Sequence, residues 1–320
     1  ELVGTSGNLL TLKSATANSV WSINHTGTIS KLGYLNISDS TSVSTLDAKS
    51  NSFDGGNNTN WVFNGVNSLV WTGAVNSNFS NPGNWVGNIA PTLNDVTEFL
   101  SGSNNVSIDI DANVAGIVLG SGFSGSVTLA ANKNLIIGYN GFTIYGGTFN
   151  ANTKTITNAG DFVLTSGTFN SATASIEMVG DVLITGGVFN SSTLPLKVGG
   201  NWTKTNGTFN ALGQVTFNGF GGQTIVAGGT DAASDFEEVN VSFGTVTIPN
   251  ALKVNGNLNV NSGQLKSNAT ISLAGNLTNN SGFINDQANA VWLLNGTNAQ
   301  TVKLQNHILK KVQITNSSNT

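Results

Sequence analysis

Four copies of one phrase, set twenty residues apart, constrain this chain more than any other feature. "GTFN" begins at Gly147, Gly167 and Gly207, and "GVFN" at Gly187. Laid out in twenties, Phe149, Phe169, Phe189 and Phe209 fall in one column, and Phe142, Phe162, Val182 and Trp202 in a second. Ile156, Ile176 and Leu196 make a third, continued by Val215 after a shortening of one residue. Ile144, Leu164 and Ile184 make a fourth, which Lys204 breaks. Gly147, Gly167, Gly187 and Gly207 stand before the Phe column, and Asn150, Asn170, Asn190 and Asn210 follow it.

Columns of like residues at a fixed period mean one unit stacked on itself. About twenty residues suit one coil of a parallel β-solenoid, with two or three short strands per coil and roughly 4.8 Å between coils. An inward Phe then stacks on an inward Phe, and a turn Asn on a turn Asn. The glycines supply turn conformations that other residues resist. Leucine-rich repeats share the period, but their L-x-x-L-x-L-x-x-N signature is missing. Hairpins of a barrel or propeller would set neighbouring strands antiparallel, with no reason for identity every second strand. The expected fold is all-β: a right-handed parallel β-helix, or β-solenoid, with coils of about 20 residues, an elongated rod of roughly 75 Å.

Composition agrees with strands. Asn, Ser, Thr and Gly bound short β-branched runs such as "VSIDIDANV" and "VTIPNALKVNGNLNV", and no stretch keeps helical apolar spacing. Charged residues make up 9% of the 320, against roughly a quarter in ordinary domains. Arginine is absent and the formal net charge is −4, so no basic patch can neutralise a nucleic-acid backbone. Cysteine is absent too, which a long repetitive core tolerates in an exported protein. No apolar run approaches the roughly 20 residues of a membrane helix, so no membrane insertion is expected in this segment.

The unit returns later. "GDFVLTSGTF" at Gly160, "GDVLITGGVF" at Gly180 and "GNWTKTNGTF" at Gly200 match "GNLNVNSGQL" at Gly256 and "GNLTNNSGFI" at Gly275. A second phrase, "VTFNGFGGQTI" from Val215, returns as "VWLLNGTNAQTV" from Val291. Asn218 and Asn295 lie 77 residues apart, about four coils. Similar strands follow at Phe236 and Leu309, and "LGYLNISDS" at Leu32 is a third copy. Both termini read as interior text: "GNLLTLKS" at Gly7 is already a strand, and "LKKVQITNSS" is a strand that elsewhere leads into further coils.

At these residues the chain resembles the repetitive β-helix segments of large bacterial cell-surface and secreted proteins, adhesin-like and autotransporter-like ones among them. The "GNL-x-V-x-x-G" units, the "NG-x-x-x-QT" phrase and "NSFDGGNNTNWVF" from Asn51 carry the resemblance. So does "WTGAVNSNFSNPGNWVGNIAP" from Trp71, which in that class opens a new section. The resemblance implies that residues 1–70 end one solenoid section and that residues 71–320 form a second, opened by Trp71–Pro91. It implies an extracellular, cell-surface or secreted location and a role as fibre, stalk or adhesin. The implied partners are copies of the chain or further coils of the same polypeptide end to end, and surface polysaccharide. It carries over no catalytic residue, cofactor or metal.

The sharpest alternative is an enzyme. Polysaccharide lyases place a calcium-binding carboxylate cluster and a basic proton acceptor on parallel β-helices. Asp109 and Asp111 form a D-x-D pair expected on one side of a strand, either as ligands or as a solvated face. Asp54 reads as a turn residue before a ligand. His25 and His307 stand alone, without the converging partners of a triad or zinc site. Asp161 and Asp181 share a column, but Asn201, Asn257 and Asn276 occupy it as well, so it asks for a small polar turn residue. Gly219–Gly222 lacks the Lys and helix of a phosphate loop. Trp71 and Trp85 are the candidates for stacking on sugar. Thr148, Thr168 and Thr208 offer an ice-binding row, which Val188 interrupts. N-x-[ST] triplets, as at Asn24, Asn36, Asn206 and Asn295, arise by chance in such a composition.

Overall fold

The computed structural model describes residues 2–317, apart from 5–9, 17–18, 26, 28–31, 34, 49–51, 64–66, 103 and 153. The opening at Gly7, the start of the Asn51 phrase and Tyr34 of the Leu32 phrase therefore lie outside the described residues. The chain is a rod-like parallel β-solenoid of about 14 coils, each of about 20 residues, with no α-helix among the described residues. At roughly 4.8 Å per coil that is about 67 Å of length.

A coil from the middle shows how the sequence builds it. Thr155–Asn158, Phe162–Leu164 and Thr168–Asn170 are three short strands. Each pairs in parallel with its counterpart one coil on, with Ile156 opposite Ile176, Phe162 opposite Val182 and Phe169 opposite Phe189. The columns of the sequence are thus the registers of the ladders, and the third survives the shortened coil, where Leu196 pairs with Val215. Strands of three or four residues with Val, Ile, Leu or Phe at alternate positions bury one face and wet the other. Phe162 and Leu164 point in while Val163 between them is half-buried.

The Phe column forms a continuous aromatic stack. Ring centroids lie 5.7 Å apart for Phe149–Phe169, 4.8 Å for Phe169–Phe189 and 5.6 Å for Phe189–Phe209. Phe236 prolongs the row, 5.4 Å from Phe209. Full burial stabilises each ring by about 1.5–3 kcal/mol, and each aromatic pair adds roughly 0.5–1.5 kcal/mol. The glycine before each Phe has a left-handed backbone, with φ of 65°, 72°, 71° and 76° from Gly147 to Gly207. A Cβ at Gly167 would also stand 2.5 Å from the Gly147 carbonyl oxygen, so conformation and closeness both demand glycine.

Lys204 keeps the register, opposite Ile184, and stays inside at 3% exposure. Its ammonium donates to Ser234 Oγ at 3.0 Å. The fourth column is broken in chemistry and intact in geometry. After each Phe, the asparagines form an amide ladder: Asn170 donates to Asn150 at 2.9 Å, Asn190 to Asn170 at 2.7 Å and Asn210 to Asn190 at 2.6 Å.

Buried apolar side chains fall into two clusters among the described residues. One runs from Leu35 to Trp61, and the other from Leu69 to Leu294.

Candidate functional site

The repeated polar positions serve the stacking itself. Asp161 Oδ1 accepts the Asp181 backbone N–H at 2.9 Å, and Asp181 Oδ1 accepts that of Asn201 at 2.7 Å. Asn201 Oδ1 accepts from Thr224 N at 2.9 Å. The later coils repeat this, from Asn276 N to Asn257 and from Thr301 N to Asn276. The column needs only a short acceptor, and so both Asp and Asn serve in it. Asp161 and Asp181 are links between coils.

The "NG-x-x-x-QT" phrase has an equally specific role. Phe217 pairs with Val198 and Ile225 with Trp202, so four residues between the two pairs leave the coil. Gln223 closes the gap. Its Oε1 accepts from Gly219 N at 2.8 Å, and its Nε2 donates to the carbonyls of Val198 at 2.9 Å and Gly200 at 2.6 Å. A side-chain amide thereby replaces missing backbone in the ladder. Gln300 does the same with Gly296 N, Leu273 O and Gly275 O. The sequence marks this phrase by repetition alone; the role of its glutamine needs the third dimension.

Among the described residues the candidate carboxylates and histidines do not converge. The strand Val106–Ile108 ends before the D-x-D pair, so Asp109 and Asp111 lie beyond it and not on one strand face. Asp109 accepts from Ser80 N and Oγ at 3.0 and 2.7 Å, while Asp111 accepts from Asn134 N at 2.7 Å. Each thus holds a different segment. Asp54 is a turn acceptor for Gly56 N at 3.0 Å. His25 faces Ser44 Oγ at 3.5 Å; His307 meets Asn279 at 3.0 Å and lies edge-on to Phe283. Among the described residues no group of three or more His, Cys, Asp or Glu is placed to hold a metal. Gly221 is exposed in the loop, and Gly222 opens the strand Gly222–Val226, where it pairs with Thr245. Thr148, Thr168, Val188 and Thr208 are in register, and beside them runs the amide ladder instead of a second Thr row.

Trp71 and Trp85 are core residues, at 6% and 2% exposure, and neither ring face is open to stack on a sugar. They bridge one another antiparallel, with centroids 5.0 Å apart and rings edge to face. Around them the segment from Trp71 folds on one fully buried amide, Asn84. Its Oδ1 accepts from Val75 N and Asn76 N, both at 2.9 Å. Its Nδ2 donates to Asn76 Oδ1 and Asn78 O, both at 2.8 Å, and its carbonyl accepts from Thr72 N and Gly73 N. Asn81 caps the short 3-10 turn Pro82–Asn84 by accepting from Gly83 N. The loop so fastened forms one wall of an open cleft of about 340 Å³, lined by Gly73, Asn76, Ser77, Asn104 and Asn105.

No family model matches the chain, and no curated protein or solved structure matches it.

Proposed function

We propose that this chain is a non-catalytic structural section of an extracellular bacterial surface fibre, stalk or adhesin. The supporting observation is the use made of its repeated polar residues. The Asx column, the amide ladder and both glutamine bridges are engaged in coil-to-coil hydrogen bonds. The repeat is spent on length, and among the described residues no group of repeated carboxylates or histidines is held toward a common point. Ile314, in register with buried Leu294, is 72% exposed. A further coil, from the same polypeptide or a second copy, would cover it.

The reading is tested by two measurements on the purified chain. Acidic and neutral polysaccharides, with and without calcium, are expected to show no cleavage. Turnover that Asp109→Asn or Asp111→Asn abolishes would replace the structural reading with an enzyme. Electron microscopy of the intact particle is expected to show thin rods in line. A compact particle with each end covered by a loop or helix would end the fibre reading.

A further inference from the structure

Asparagine followed by glycine occurs at Asn64, Asn140, Asn206, Asn218, Asn255 and Asn295, the first of them outside the described residues. Asn is thermally labile, and before Gly the lability has a definite route. The glycine nitrogen attacks the asparagine side-chain carbon, an approach that no Cβ obstructs. It must give up its proton to do so, and a hydrogen bond from that N–H has to break first. The coils supply such bonds. Gly219 N donates to Gln223 Oε1 at 2.8 Å, Gly256 N to Glu237 O at 2.6 Å and Gly296 N to Gln300 Oε1 at 2.9 Å. Gly141 is buried in the strand Leu135–Ile144, opposite Gly116. Gly207 is the exception. Thr205 N and Thr208 N, on either side, donate to Ile184 O and Gly187 O at 2.9 Å each, but Gly207 N has no acceptor among the described residues. Asn206 is exposed, in a turn where Gly207 has φ of 76°.

We infer that Asn206 is a site of spontaneous self-modification by deamidation, with water as the only co-reactant. Gly207 N bonds to Asn206 Cγ and closes a succinimide ring. The bond from Cγ to Nδ2 breaks, and ammonia leaves with the proton of the glycine N–H. Water then adds to either ring carbonyl and opens the ring to aspartate or isoaspartate. Asn295 isolates the cause, because both residues stand in the same triplet, Asn-Gly-Thr. Local sequence chemistry is matched, and the glutamine bridge is present at one and absent at the other. The product is a negative charge on a turn that had none. In the isoaspartate form the main chain runs through the former side chain and is one carbon longer between Thr205 and Thr208, whose bonds to the preceding coil flank the turn. The inference stands apart from the fibre reading, since it concerns one turn of one chain.

The test follows the full chain in mildly alkaline buffer, one sample folded and a parallel one unfolded in urea. Peptide mass spectrometry reads the exchange of amide for carboxylate at each Asn–Gly pair over time. Dividing the folded rate by the unfolded rate at each pair removes any difference in intrinsic reactivity. That ratio is expected to be about tenfold higher at Asn206 than at Asn295, the worth of one buried hydrogen bond that must open first. Asn218 and Asn255 are expected to behave like Asn295. Asn206→Ser places at this turn the residue that Ser166 supplies two coils earlier, and is expected to remove the fast phase and leave the other pairs unchanged. A ratio at Asn206 no higher than at Asn295 would overturn the inference. So would a folded chain whose Asn206 stays intact while the unfolded one converts, or a fast phase that persists in Asn206→Ser.

Discussion

At Asn218–Gln223 and again at Asn295–Gln300 the chain lifts four residues out of a coil and closes the gap with a glutamine. The hydrogen bonds correspond one for one. The surroundings do not. Phe220, at the first tip, is 90% exposed and leans on Phe243 of the next coil, with centroids 5.4 Å apart. Thr297 holds that place in the second. After the first loop, Val239 and Val241 are fully buried beneath the Leu258–Val260 strand. After the second, the matching Val312 and Ile314 are 43% and 72% exposed. The same words therefore give the same local geometry, while burial depends on which coil comes next. In a solenoid each unit supplies its own turns and borrows half its core.

That contrast can be broken at several depths. The scale for a coil covered on both sides is Phe169, where truncation to Ala leaves a cavity in the aromatic stack. The expected loss is about 3–5 kcal/mol by urea denaturation, with Thr168→Ala nearly silent. Equal effects would mean that stacking is not what holds the coils. Next comes Val241→Asn, which buries an unpaired amide and should cost about 3 kcal/mol, while Ile314→Asn stays within about 0.5 kcal/mol in the isolated chain. A large loss at Ile314 would show its strand to be already covered in solution. Smaller still is Gln223→Ala, which strands one N–H and two carbonyls in a buried site, at about 2–3 kcal/mol. Gln300→Ala, half-buried, should cost about half as much. The smallest effect is expected at Phe220→Ser, within about 0.5 kcal/mol, because its ring is mostly in water. A loss above that would make the Phe220–Phe243 pair part of the fold.

The columns were legible because like residues stack on like residues, so period and register are one fact. Asn201 beside Asp161 and Asp181 told the same story, since only an acceptor common to Asp and Asn explains the exchange. Lys204 was legible as a break but not as a buried residue, because its partner Ser234 belongs to a loop outside the repeat. Trp71 and Trp85 looked like sugar platforms. They are buried because the segment between them folds back on Asn84, an asparagine indistinguishable in sequence from its many neighbours. The D-x-D pair missed its strand by one residue, at Ile108. The cleft itself joins residues 73–77 to residues 104–105, and no spacing rule links two stretches so far apart.

The amide ladder has a direction. Asn150 donates to Thr128, Asn170 to Asn150, Asn190 to Asn170 and Asn210 to Asn190, each toward the preceding coil. Farther along, Asn261 donates to Asn240 and Asn280 to Asn261 in the same sense. The side-chain dipoles within each row therefore add instead of cancelling, and each amide polarises the next. The positive end of each row faces the N-terminal coils and the negative end the C-terminal ones. Each row is an electret in miniature, and its two ends are electrically unlike before any charged residue is counted.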